Sequence, residues 1–427
     1  MQFKTIRRNK MKYLSRISDS ELERKLDSAG ALLIRGAKAC GKSESAKQFA
    51  DSVLELDQDE QVPYLIGTAP RRLLLGKTPR LIDEWQVQPK IWNYVRHEVD
   101  NRKKTAQFIL TGSASPVENV KMHSGAGRFT ILDMRTMSWQ ELGFSSGKVS
   151  LQDIFEGKKI DIHDEPTKLE LIVERIIIGG FPTLIGKSVR QAMDLNRAYI
   201  DLLAEVDISR VSNIKRDPVK VRNLLRSLAR NTATMVDITT LEADIREKEN
   251  DDISRPTIYD YLDSLERLMI IEDQPAWNPH IRSSYSLRKS PKRHFTDVSL
   301  AVAALGANKD TLLKDVRFTG FLFESLVTHE LRVYAQANDA KVYHYRDSSG
   351  LEVDSIVQKY NGDWCAFEIK LGTGHIEDAA ASLKKFVSIL DEKRMKPPKS
   401  LNIITGTGVS YTRNDGINVI SLASFGW

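Results

Sequence analysis

Between residues 19 and 135, short apolar runs alternate with stretches whose apolar positions recur at helical spacing. The runs Ala31–Arg35, Val53–Leu56, Arg80–Asp83, Gln107–Thr111 and Phe129–Met134 are short and nearly continuous in apolar character. That is the pattern of strands covered on both faces. Strand and helix in alternation predict a parallel sheet flanked by helices. From about 165 to 310 the spacing is mostly helical, and Ile176-Ile177-Ile178 reads as a strand-sized core run. Inside this stretch, residues 218–275 predict a winged-helix unit, with helices near 219–230, 238–246 and 255–268 and a strand at Ile270–Asp273. Asp237 and Ser254 stand at N-cap positions, and Pro256 suits a first helical turn. From 311 onward the pattern gives a helix (Phe318–Asn338), three strands (Lys341–Arg346, Leu351–Lys359, Trp364–Leu371), a helix (Ile376–Asp391) and a strand (Leu401–Thr405). The class is α/β in three parts, 1–145, 146–310 and 311–427, as a length of 427 residues also suggests at roughly 150 residues per domain.

The sharpest motif is Gly36-Ala37-Lys38-Ala39-Cys40-Gly41-Lys42-Ser43, which fits GxxxxGK[ST] between a predicted strand and a predicted helix at 42–54. Such a phosphate loop, with Glu44 next to it, cradles a nucleotide's phosphates on backbone N–H groups and a helix N-terminus. Lys42 is expected to reach the β- and γ-phosphates and Ser43 to bind Mg²⁺. Cys40 falls at a variable position and reads as filler. The metal needs a carboxylate from a second strand, and Leu81-Ile82-Asp83-Glu84 supplies it: Asp83 for Mg²⁺, Glu84 to polarise the attacking water. Phe108-Ile109-Leu110-Thr111-Gly112-Ser113 ends in small polar groups, so Thr111 or Ser113 is the candidate sensor of the γ-phosphate in a sheet with an additional strand between the two motif strands. Arg128 has three readings: a phosphate contact in cis, an arginine finger in trans within a homo-oligomer, or a structural ion pair at a sheet edge.

These residues carry a resemblance. The chain resembles the bacterial and archaeal AAA-type ATPases that bear a C-terminal domain of unknown function 4143. Matching positions include Arg16 and Asp19, the loop 36–43, Leu81-Ile82-Asp83-Glu84-Trp85-Gln86, Thr111-Gly112-Ser113 and Gly127-Arg128. Further along, Met137-Ser138-Trp139-Gln140-Glu141, Gly179-Gly180-Phe181-Pro182 and Phe295-Thr296-Asp297 also match. Cys40, Glu44 and Trp139 depart from the family's usual residues. The resemblance implies ATP binding and hydrolysis and no agreed cellular role.

The order αβββαβ in 311–427 resembles the PD-(D/E)xK nuclease-like core. Glu324 lies on the first helix, Asp354 on the second strand, and Glu368-Ile369-Lys370 on the third, fourteen residues after Asp354. Alternation along a strand puts Glu368 and Lys370 on one face. The turn at 360–363 pairs the two strands antiparallel and sets Asp354 near Glu368. Three gathered acids repel unless a cation offsets them, so Mg²⁺ held by Glu324, Asp354 and Glu368 is the expected occupant, with Lys370 beside it. The other reading is a nuclease-derived scaffold kept for binding.

Composition narrows the field. With 41% hydrophobic and 28% charged residues the chain is globular, and no apolar run approaches the ~18–20 residues that span a bilayer. Membrane contact is not expected. Two cysteines and no targeting segment point to the reducing cytoplasm. The net charge is +6, concentrated in residues 1–16, 210–230 and 282–293. Such clusters attract phosphate backbones, and Arg222, Arg226 and Arg230, four apart on one helix face, are the candidate contacts to DNA. Trp277, Trp364 and Trp427 read as core residues, and His280, His294 and His344 lack metal-ligand spacing. The leading expectation is an ATPase that couples turnover to DNA binding or processing. The alternatives are a nucleotide-switched binding module and an ATP-regulated, Mg²⁺-dependent nuclease.

Overall fold

The computed structural model describes residues 13–112, 125–212, 216–278, 290–390 and 395–427. Strands β1 (Ala31–Arg35), β2 (Ser52–Glu55), β3 (Arg80–Asp83), β4 (Phe108–Gly112) and β5 (Phe129–Asp133) form one parallel sheet in the order β2-β3-β4-β1-β5. Successive residues feed opposite cores. Ala31, Leu33, Ile82 and Leu110 pack on one face with the helix Ile91–Arg102. Leu32, Ile34, Leu81 and Ile109 pack on the other with the helix Asp19–Ser28. This two-sided burial is why the runs are nearly continuous in apolar residues. Because β4 lies between β1 and β3, the loops following all three strands meet at one edge of the sheet. The helix after the phosphate loop is Lys42–Gln48, shorter than 42–54, because the chain must extend from Ser52 to pair with Arg80.

The middle of the chain begins with β6 (Val149–Ser150) and β7 (Asp161–Ile162) and is otherwise mostly helical. The isoleucine run is not a strand. It forms the end of the helix Leu169–Ile178, whose Ile172, Val173, Ile176, Ile177 and Ile178 are all buried. A short apolar run cannot by itself distinguish a strand from a fully covered helix. The helices Pro218–Arg230, Ile238–Glu249 and Arg255–Arg267 begin at Asp217, Asp237 and Ser254, and each of these side chains accepts a backbone N–H of its helix. The strand expected at Ile270–Asp273 is absent. Only isolated bridges form there, Ile271 with Phe295 and Gln274 with Lys292, because this segment is drawn onto the C-terminal part, where the Trp277 N–H donates to the His344 carbonyl at 2.6 Å.

The C-terminal part has the helix Val316–Ala337, then β8 (Ala340–Arg346), β9 (Glu352–Lys359), β10 (Trp364–Lys370), the helix Ile376–Ser388 and β11 (Leu401–Thr405). Three more strands follow, β12 (Ser410–Thr412), β13 (Asn418–Ser421) and β14 (Phe425–Gly426). The sheet runs β7-β12-β13-β11-β10-β9-β8, so β7 from the middle region completes its edge, while β6 pairs with β14. Trp277 and Trp364 are buried together, ring centroids 4.8 Å apart. Trp427, by contrast, is 47% exposed and is not a core residue. No helix among the described residues is long and apolar enough to cross a membrane.

Candidate nucleotide site and a second carboxylate cluster

Gly36 leaves β1 where a side chain has no room: a Cβ there would lie 2.3 Å from the Met134 carbonyl oxygen and 2.8 Å from the Cys40 sulfur. Ala39 and Gly41 then take left-handed backbone, φ 64° and 107°, which curls the loop back on itself. Lys42 is buried, and its Nζ donates to the carbonyls of Gly36 (2.9 Å) and Ala37 (2.8 Å). No side chain caps the helix that starts at Lys42. Its first N–H groups have no intrahelical acceptor and present a partial positive charge. The Ser43 hydroxyl donates to Asp83 Oδ1 at 2.8 Å, and Thr111 Oγ1 donates to the same oxygen. These three groups meet because β1, β4 and β3 are adjacent. The donor set, a hydroxyl and a carboxylate beside uncapped amides, fits Mg²⁺ and a polyphosphate.

Other loop positions are more ordinary. Lys38 is exposed and faces Asp207 at 3.6 Å, and Glu44 is exposed near Lys47 at 3.8 Å. Cys40 is buried, its thiol directed at the Met134 carbonyl at 3.4 Å. Glu84 follows β3 in left-handed backbone, φ 53°, a conformation that costs a non-glycine residue about 1–2 kcal/mol. Gln86 donates to its carboxylate. Burial lifts the Glu84 carboxyl above the ordinary carboxylate range, partly opposed by that hydrogen bond and by Lys42. Ser113 lies outside the described residues.

Arg128 is placed differently from its expected role in cis. Phe129 pairs with Ala31, so Arg128 stands where β1 begins, whereas the phosphate loop follows Arg35 at the other end. Five strand residues separate those ends by roughly 16 Å at ~3.3 Å each. Contact with phosphate in its own loop is therefore excluded. Its Nε instead donates to Asp100 at 2.7 Å at the sheet edge.

Arg16 was legible only as a matched position, with no role attached. It is buried and donates to the carbonyls of Cys40 (3.0 Å) and Arg135 (2.8 Å) while pairing with Glu141 at 3.0 Å. From there, contacts lead into the C-terminal part. Arg135 pairs with Glu272 at 2.5 Å, Thr136 bonds His329 at 3.0 Å, and the Trp139 N–H donates to Glu330 at 2.9 Å. His329 and Glu330 lie on the helix Val316–Ala337, which also carries Glu324.

The C-terminal acids do come together. Ser355 pairs with Phe367 across β9 and β10, which sets Asp354 beside Glu368. Lys370 Nζ lies 3.3 Å from Asp354 and 2.7 Å from Glu368. Glu324 reaches the cluster from the helix. A residue absent from the sequence-based set completes it: Lys292, 1% exposed, with its Nζ 2.6 Å from Glu324, 2.6 Å from Glu352 and 3.6 Å from Asp354. Nothing in the sequence marked Lys292, which sits in a basic run and reaches the acids only through the bridge with Gln274. Burial, reinforced by Asp354, raises the Glu324 carboxyl to about 7 and the Glu368 carboxyl to about 8, against the pull of the lysines. Burial would raise Asp354 too, but Lys370, Lys292 and the Ile369 N–H outweigh it and hold Asp354 low. Mg²⁺ is the cation expected to offset Glu324, Asp354 and Glu368; in this structure the ammonium groups of Lys292 and Lys370 lie against the facing oxygens.

The expected DNA-contacting arginines are likewise committed to internal ion pairs. Arg222 pairs with Asp201 (2.9 Å) and Glu205 (2.5 Å), Arg226 with Glu249 (3.0 Å), and Arg230 with Asp244 and Glu249 (both 2.7 Å). Their acidic partners lie 14 to 23 residues away in sequence, on neighbouring helical segments. Lys292 and Arg293 of the third basic run are paired as well, Arg293 with Asp273 at 3.0 Å. Residues 1–12 and 279–289 lie outside the described residues, and with them His280 and most of the first and third clusters.

An AAA domain matches residues 28–143, a domain of unknown function 8612 matches 169–311, and a domain of unknown function 4143 matches 319–425. Uncharacterized proteins of Mycobacterium bovis and Mycobacterium tuberculosis are each 23% identical over 357 residues, covering 82% of this chain and 72% of theirs. Among solved structures, a Walker-type ATPase of Pyrococcus abyssi aligns with 11% identity and a TM-score of 0.42, over 68% of this chain and 96% of that one. A signal-transduction ATPase with a tetratricopeptide repeat sensor, from Pyrococcus horikoshii, aligns with 12% identity and a TM-score of 0.21, over 77% of this chain and 49% of that one. The chain therefore joins an AAA-type P-loop ATPase domain to a C-terminal domain of unknown function 4143.

Proposed function

We propose that the protein hydrolyses ATP with Mg²⁺ and uses the nucleotide state to set the conformation of its C-terminal half. The observation that carries this is the convergence of Lys42, Ser43, Asp83 and Glu84 at one edge of the sheet, with the Ser43–Asp83 hydrogen bond at 2.8 Å. Bound between Ser43 and Asp83, Mg²⁺ would supply charge neutralisation to the β- and γ-phosphates. Lys42 exchanges its two loop carbonyls for phosphate oxygens. Thr111 keeps Asp83 aligned. Glu84 orients the attacking water and accepts its proton, a task suited to a carboxyl whose pKa burial has raised. Coupling is supported by Arg16, whose guanidinium touches the Cys40 carbonyl inside the loop and the Arg135 carbonyl at the start of the contacts to the C-terminal half.

Nucleic acid, DNA in particular, is the partner we propose for that half, supported by the nuclease-like strand order. Lys292 among the carboxylates favours the reading in which DNA is bound and not cut. ATP turnover measured alone and with mixed duplex and single-stranded DNA tests the proposal. DNA-stimulated turnover supports it. Turnover indifferent to DNA removes the nucleic-acid partner, and the absence of any turnover removes the hydrolase.

A further inference from the structure

The carboxylates Glu324, Asp354 and Glu368 stand in the order of a metal-dependent nuclease, yet the groups around them are arranged for a different cation. Lys292 enters from outside the αβββαβ core. Its backbone is fixed by a two-way bridge, with the Gln274 N–H donating to the Lys292 carbonyl (2.8 Å) and the Lys292 N–H donating to the Gln274 carbonyl (3.1 Å). Gln274 is itself buried and lashed to the sheet, its Nε2 donating to the carbonyls of Tyr343 (2.9 Å) and Asp354 (3.0 Å) and to Ser355 Oγ (3.0 Å). Lys292 is therefore not a surface lysine that happens to fold inward. Its backbone position is set through Gln274, which is tied to the strands that carry Tyr343 and Asp354.

We infer that Lys292 is a built-in replacement for the divalent ion of this site, and that the carboxylate cluster is closed to metal while Lys292 is present. The stereochemistry is direct. An ion held by Glu324 and Asp354 needs their oxygens at ~2.0–2.6 Å. The ammonium already lies 2.6 Å from Glu324 and 3.6 Å from Asp354 Oδ1. A cation in that gap would touch a second positive charge in a poorly solvated cluster, where repulsion is weakly screened. The remaining route, between Asp354 Oδ2 and Glu368, is held by Lys370, and Asp354 Oδ2 also accepts the Ile369 N–H at 2.8 Å. Four carboxylates, counting Glu352, thus share two lysines, and each carboxylate has an ammonium within 3.3 Å. The cluster opens on a cleft of about 760 Å³, so lack of access does not keep a metal out. The inference is independent of the nucleotide site and concerns only the C-terminal cluster.

The test is a Mn²⁺ titration of the full chain without nucleotide, followed by electron paramagnetic resonance and by melting temperature. In the parent chain, Asp354→Asn is expected to leave the number of bound Mn²⁺ ions unchanged. Lys292→Met, which keeps the apolar stem and removes the ammonium group, is expected to add one bound Mn²⁺ and a Mn²⁺-dependent rise in melting temperature. Both gains vanish in the Lys292→Met, Asp354→Asn double variant. A parent chain that loses a bound Mn²⁺ on Asp354→Asn overturns the inference, as does a folded Lys292→Met chain that gains none. If Lys292→Met does not fold, the comparison of parent with Asp354→Asn decides the matter by itself, and Lys292→Arg, which retains a cation, must behave as the parent.

Discussion

Glu272→Gln should weaken the joint between the ATPase domain and the C-terminal half. Glu272 is gripped by Arg135 through Nε (2.9 Å) and Nη2 (2.5 Å), and Arg332 Nε lies 3.6 Å from the same carboxylate. The Arg135 and Arg332 side chains are only 15% and 6% exposed, so neutralising Glu272 leaves two sequestered guanidinium groups short of counter-charge. Breaking a buried pair from one side costs ~3–5 kcal/mol. Glu272 keeps 30% of its surface, which places the expected loss near the lower limit, about 3 kcal/mol. For a cooperative unit of roughly 150–250 residues that is a fall of about 6–12 °C in melting temperature. Calorimetry at neutral pH on Glu272→Gln, Arg135→Met and the double variant measures it, with an expected coupling of about 2 kcal/mol. The pH dependence has a definite sign. Burial alone would raise the Glu272 carboxyl, but Arg135 and Arg332 outweigh it and hold it well below its ordinary value of 4.5. Its stabilisation is complete above that ordinary value and is lost as pH falls below it. The deficit of Glu272→Gln should therefore be constant from pH 8 to 5 and shrink below about 4.5. A cost under about 1 kcal/mol, no coupling with Arg135, or a deficit that ignores acid would refute the reasoning.

Glu84→Gln should lower kcat by about 10²–10⁴-fold with little change in KM, and the acid limb of the pH–rate profile, set above 4.5 by burial of Glu84, should disappear; steady-state ATPase assays over pH check both. Gly36→Ala should abolish ATP binding in calorimetry, because the Cβ meets the Met134 carbonyl at 2.3 Å and the loop must move. Arg128→Ala should leave ATP affinity unchanged, since Arg128 lies at the opposite end of the sheet from its own loop; a fall in turnover that grows with protein concentration would mark a role in trans. Replacing Arg222, Arg226 and Arg230 together by Ala should lower the melting temperature and leave the salt slope of DNA binding unaltered, because their charges are already spent on Asp201, Glu205, Asp244 and Glu249.

What the sequence determined on its own was the local and the periodic. The strands of the first sheet were readable because both of their faces are covered, and the helix starts at Asp237 and Ser254 because a cap is a contact between near neighbours. The phosphate loop was legible because glycine at Gly36 and Gly41 answers to backbone geometry, and Glu368 and Lys370 because strand alternation fixes a shared face. Charge was the weakest guide. A run of arginines looks the same whether it faces water or a distant acid, so only the tertiary structure could show Arg222, Arg226 and Arg230 turned to internal partners. The isoleucine run Ile176–Ile178 needed its neighbours for the same reason, since burial on all sides erases the periodicity that separates helix from strand. Arg128 needed the strand register, which alone says which end of the sheet it occupies. Lys292 was beyond any reading of the chain. Its ammonium lies among Glu324, Glu352 and Asp354, and that position exists only because a bridge with Gln274 draws a segment from outside the αβββαβ core across β9. Long-range electrostatic pairing depends on distances through space, and those are set by the packed fold and not by order along the chain.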